Sequence, residues 1–110
     1  MEVKASKVDK FSDMKHPGDY QYYSQKGVDG HAGIIFVCPC GKHSGEPTGM
    51  IEGKLATNGI RALPFENAPG IGAKWNWNGS EEMPSLTPSI LDISECHWHG
   101  FLTDGVFRSC

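Results

Sequence analysis

The feature that most restricts how this chain can fold is the placement of its four cysteines. Cys38 and Cys40 lie in Phe36-Val37-Cys38-Pro39-Cys40-Gly41, Cys96 opens Cys96-His97-Trp98-His99-Gly100-Phe101, and Cys110 ends the sequence. Thiolate sulfur and imidazole nitrogen are the ligands zinc prefers, and four of them in a tetrahedron close a structural site. A zinc ion held by Cys38, Cys40, Cys96 and His99 would staple two distant segments, with Cys110 as the reserve ligand and His43 and His97 behind it. Two cysteines at i and i+2 face one way on a strand, and a turn at Pro39 can bring both sulfurs to one ion. C-x-C and C-x2-H spacings are each common by chance, so the inference rests on their combination at strand ends beside glycine. Buried thiols or an iron-sulfur centre are the competing readings of the same residues.

A staple suits the composition. The 110 residues are enough for one domain. Only 38% are hydrophobic, with 14 glycines and 7 prolines, so a modest core and many turns are expected. The formal net charge of −3 argues against a nucleic-acid partner, which favours a basic face. The longest apolar run, Ala32 to Cys38, is far short of the roughly 20 residues of a membrane-spanning helix. The opening residues have no apolar core of a secretory signal. A reducing compartment is therefore expected, where four cysteines read as metal ligands rather than two disulfides.

The pattern predicts a mainly β domain over residues 31–110, with hairpins and little helix, preceded by an arm over residues 1–30 that is partly ordered or carries an edge strand. Lys15-His16-Pro17-Gly18-Asp19 signals a turn, and tyrosines at 20, 22 and 23 favour a short edge strand over Asp19 to Ser24. Gly33 to Cys38 is apolar, β-branched and bounded by glycine and proline, which marks a central strand ending at Pro39. No window between Thr48 and Gly72 keeps a 3.6-residue period. Trp75 and Trp77 share a strand face, Asn78-Gly79 signals a hairpin, and Ser89 to Ile93 reads as a strand. Asp104-Gly105 is a preferred two-residue turn that pairs Thr103 with Val106, Leu102 with Phe107, Phe101 with Arg108 and His99 with Cys110. Opposed residues share a face with Cβ atoms about 5 Å apart, so His99 and Cys110 are expected to be neighbours.

Other candidates carry less chemistry. His16 and His31 are isolated and read as solvated or structural. Trp75, Trp77 and Trp98 fill a small core more readily than they make a platform for a base or sugar. Glu81 and Glu82 are adjacent in a turn and do not converge on one substrate.

Cys38-Pro-Cys40-Gly, Trp77-Asn-Gly-Ser with Pro84 and Thr87-Pro-Ser-Ile90, and Cys96-x2-His99-Gly-Phe with Asp104-Gly105 together resemble a family of small phage-encoded and bacterial proteins of uncharacterised function, some labelled ammonia monooxygenase. The resemblance spans about residues 33 to 110. It implies a shared metal site at Cys38, Cys40, Cys96 and His99, and a phage origin. Lys42 stands where many relatives carry a further cysteine. The monooxygenase label does not suit these residues, since non-haem iron uses two histidines and a carboxylate with open positions.

The function these readings favour is a small phage-type, zinc-bound β module that binds a protein, either a virion component or a host target, in the host cytoplasm or virion. No residue is given a catalytic role. The alternative is a metal-dependent hydrolase or deaminase-like enzyme with an open zinc position, for which Glu95 is the one candidate base. A zinc deaminase pairs H-x-E with P-C-x2-C, and neither spacing occurs here.

Overall fold

The computed structural model describes residues 2–41, 47–51, 54–57, 59–70, 72–91 and 98–109, with backbone alone for residue 11 and for 47–51 and 54–57. The chain is mainly β, as expected. Its strands are β1 (Glu2–Lys4), β2 (Ser6–Lys7), β3 (Asp19–Tyr23), β4 (Gly33–Val37), β5 (Pro47–Ile51), β6 (Lys54–Thr57), β7 (Ile60–Pro64), β8 (Asn76–Trp77), β9 (Leu86–Leu91), β10 (His99–Thr103) and β11 (Val106–Ser109), with a 3-10 turn at Phe11–Asp13. One sheet runs β1-β11-β10-β9-β8, a second β2-β3-β4-β7, and β5 pairs with β6 alone.

The two larger sheets bury their facing sides together. Tyr20, Ile34 and Phe36 from the second sheet meet Leu86, Ile90, Leu102 and Phe107 from the first, and the Phe36 and Phe107 rings lie 5.1 Å apart. Trp98 is buried in this cluster, and Trp75 and Trp77 pack against it. β4 is apolar at every position because its other side is covered too: Ile35 packs with Met14 and Ile60. A strand buried on both faces loses the polar alternation of a half-exposed one. β4 lies between β3 and β7, as a central strand should, and delivers Cys38 just past its end.

The first thirty residues supply β1, β2 and β3, so both sheets draw on them. β3 occupies Asp19–Tyr23 as a strand but is not an edge, since β2 pairs with it on the side away from β4. The turn before it is closed by the buried Asp19 carboxylate, which accepts hydrogen bonds from the Lys15 and His16 amides at 3.1 and 2.9 Å.

The C-terminal hairpin has the expected register, pairing Thr103 with Val106, Leu102 with Phe107 and Phe101 with Arg108. Asp104 and Gly105 both take positive φ, 48° and 76°, as a type I′ turn requires. The expected pairing of His99 with Cys110 lies outside the described residues. Gly100 faces inward where a Cβ would overlap the Arg108 carbonyl and crowd the Trp98 ring, so only glycine lets β10 and β11 approach this closely.

Asn78-Gly79 does not form a two-residue hairpin. β8 and β9 pair Asn76 with Thr87 and Trp77 with Leu86, leaving residues 78–85 as the connection. Asn78 organises that loop, its Oδ1 accepting the Ser80 and Ser85 amides, each at 3.1 Å. Side-chain closure of this kind competes with the tight turn that the dipeptide alone would favour. Tyrosines of β3 then hold the loop from the opposite sheet. Tyr20 donates to the Glu81 carbonyl at 2.8 Å, and the Tyr22 hydroxyl lies 3.0 Å from those of Ser80 and Glu81. Among the described residues, no helix is long and apolar enough to cross a membrane.

Candidate active site

β9 starts earlier than the expected strand, at Leu86, and runs through Pro88 because it bulges there. Its register with β10 pairs Ile90 with Gly100 and then Leu86 with Leu102, so Thr87, Pro88 and Ser89 together oppose Phe101. A bulge tolerates a proline, which has no amide to give the ladder, and it re-aims the neighbouring side chains. The Thr87-Pro88 peptide is cis.

The register next to the bulge sets Ser89 against a histidine. His99 sits directly opposite Leu91, and Ser89 is two residues back along the same strand face, the diagonal position across an antiparallel pair. His99 Nε2 lies 3.1 Å from Ser89 Oγ. With the ring proton on Nδ1, the serine hydroxyl donates to Nε2, the arrangement in which imidazole draws the proton from a nucleophile. Ser89 is half-buried and His99 exposed, so the pair lies at the surface. On the other flank of β9, the Trp75 indole N–H donates to the Ser89 carbonyl at 3.4 Å, fixing the bulged backbone. Among the described residues, no carboxylate is hydrogen-bonded to His99.

Ser89 lies in a bulge, a feature over-represented beside active sites.

The expected metal ligands are only partly described. Cys38 is buried at the end of β4, and Cys40 is half-buried two residues on. Cys38 borders a cavity of about 70 Å³ with Ile90, Leu91 and Trp98, the residues on either side of positions 92–97. Cys96, Cys110, His43, His97 and Glu95 lie outside the described residues. Among the described residues no group of three or more possible metal ligands gathers. His16 is an exposed partner of Asp19 at 3.7 Å. His31 stacks on Tyr22 with ring centroids 4.5 Å apart and meets Glu81 at 3.2 Å, so it braces the 78–85 loop.

Comparison with known families bears on the chain as a whole. The family model described as bacterial ubiquitination-like system serine protease (BubE) matches residues 7–110. The chain belongs to the BubE family. No curated protein and no solved structure matches it. The match says nothing of a zinc ion or a phage origin, the two attributes that the resemblance implies.

Ser89 was given no chemical role by the sequence. It stands in Thr87-Pro88-Ser89-Ile90, which has the composition of a strand and lacks the glycines that flag a nucleophile on a sharp turn. The available signal was a serine ten residues before a histidine that opens a hairpin. His99 was singled out as a zinc ligand with Cys96, which lies outside the described residues.

Proposed function

We propose that this BubE-family chain is a serine peptidase acting on a protein of a bacterial ubiquitination-like system, with Ser89 as nucleophile and His99 as general base. The observation that carries the reading is the 3.1 Å contact between Ser89 Oγ and His99 Nε2. The family's description, a serine protease, supports it. In this mechanism Ser89 Oγ attacks the carbonyl carbon of the scissile amide while its proton passes to His99 Nε2. The tetrahedral intermediate collapses as His99 returns that proton to the leaving amine, giving an acyl-serine and a free amino group. Water then attacks the ester, His99 takes its proton, and the proton returns to Ser89 as the acid product leaves. The protein partner expected from the sequence becomes, on this reading, the substrate.

The test is covalent labelling by a fluorophosphonate probe, read by peptide mass spectrometry. A single adduct on Ser89, absent in Ser89→Ala and much reduced in His99→Ala, is expected. Labelling elsewhere, or none, would sink the assignment.

A structural zinc remains a second reading beside the first. It is favoured by the buried Cys38, which borders a cavity with Leu91 and Trp98, the residues that flank the segment containing Cys96. If His99 serves Ser89, the ligands are Cys38, Cys40, Cys96 and Cys110, and a closed thiolate site has no position for substrate. Such a site would anchor β9 and β10 beside the reacting pair and take no part in the reaction. Elemental analysis should find one zinc per chain, and a chelator should lower the melting temperature because binding energy in such sites is folding energy. A metal-free chain with the same melting temperature excludes it.

A further inference from the structure

Ser89 and His99 occupy one diagonal of a four-residue patch on the outer face of the first sheet. Leu91, opposite His99, and Phe101, opposite the bulge that contains Ser89, occupy the other. Both are left in solvent, Leu91 at 58% and Phe101 at 42% exposure, while the inward residues between them, Ile90 and Gly100, are buried. Met83, in the 78–85 loop, is the other large hydrophobic exposed to this degree among the described residues. Two of the three therefore flank the serine-histidine pair.

Leu91 and Phe101 thus leave apolar surface in water that an apolar ligand could cover. Phe101 lies on the outer face, and Leu91, although it borders the small cavity beside Cys38, is more than half exposed. An extended polypeptide laid across the patch with its scissile carbonyl at Ser89 Oγ would set the side chains flanking that bond over Leu91 on one side and Phe101 on the other. Covering them recovers the burial in the complex. Beyond Phe101 on the same face, Arg108 is already paired with Glu2 at 3.2 Å, so the patch offers no unpaired charge there to attract an ionic side chain.

We propose that Leu91 and Phe101 are specificity-determining residues, selecting substrates with a large apolar side chain next to the cleaved bond. This rests on Ser89 and His99 being the reacting pair, so the experiment separates the two claims. Fluorophosphonate labelling of Ser89 is measured first. A peptide library varied at the positions flanking the cleaved bond is then digested and read by mass spectrometry. The wild-type chain is expected to prefer Leu, Met or Phe over Gly, Asp or Lys by ~10–100-fold in kcat/KM, the range one apolar pocket supplies. Leu91→Ser and Phe101→Ser should each reduce the preference about tenfold at one flanking position only. Leu91→Glu should shift that position toward Lys and Arg, a gain that loss of folding cannot produce. Labelling of Ser89 with no cleavage, with a flat or charged preference, or with variants that keep the wild-type profile overturns the role of Leu91 and Phe101 and leaves the reacting pair standing. Failure to label Ser89 overturns both.

Discussion

Strands β9 and β10 present two different chemistries on their two faces. Inward go Leu86, Ile90, Gly100 and Leu102, all buried and packed against Ile34, Phe36 and Phe107. Outward go Ser89, Leu91, His99 and Phe101, half-buried or exposed, with little to hold them beyond the backbone that carries them. The alternation of a pleated strand makes both possible at once. The inner face fixes the register, because a slip of one residue would move its apolar set into water. Once the register is fixed, Ser89 lies diagonally across from His99, two residues from its partner Leu91, and their side chains meet at 3.1 Å. The proposed reacting pair should therefore be removable without cost to the fold, and the core should be breakable without altering the chemistry of molecules that remain folded.

The largest expected effect tests the outer face alone. Ser89→Ala should abolish peptide cleavage, a loss on the order of 10⁴–10⁶ in rate as for other serine nucleophiles. Its folding free energy should stay within about 0.5 kcal/mol of wild type, as for a surface substitution. Equal losses of activity and stability would mean that the two faces are not separable. Leu102→Ala tests the inner face. Its side chain is fully buried, so denaturant unfolding should show a loss of about 2–5 kcal/mol, with the rate per folded molecule retained.

The smallest effect probes the 78–85 loop, which enters β9 and is held from the second sheet. Burial pushes the phenols of Tyr20 and Tyr22 above their ordinary range, and the nearby Glu82 and Glu81 act on Tyr20 in the same direction. The neutral forms are favoured in the folded chain. Stability from these groups is complete below the ordinary tyrosine value of about 10 and falls as pH rises past it, since the unfolded chain ionises first. Phenolate absorbance should show Tyr20 and Tyr22 ionising together with unfolding. Ionisation of both in a chain that is still folded would refute their role as a latch. Tyr22→Phe should remove one phenolate from that late step and cost about 0.5–1.5 kcal/mol, the usual worth of one hydrogen bond.

Much of the fold was legible because it rests on local chemistry. The apolar run of β4, the Asp104-Gly105 turn and its pairing of Leu102 with Phe107 are each dictated by a few neighbouring residues. The Asn78-Gly79 loop was misread because Asn78 closes on Ser80 and Ser85, which a dipeptide rule does not see. β3 was expected at an edge because its partner β2 is only two residues long and has no strand pattern to read. At the site, the sequence pointed to His99 as a metal ligand beside cysteine and did not disclose its contact with Ser89.

By itself, then, the sequence determined the β character, the central strand and the last hairpin, because alternation and turn propensities act within a few residues. It also offered His99 as a metal ligand. Only the tertiary structure brought Ser89 Oγ to 3.1 Å from it. That contact depends on the pairing of His99 with Leu91, a register set by Leu86, Ile90 and Leu102 as they pack against another sheet, and no local pattern around Ser89 contains it.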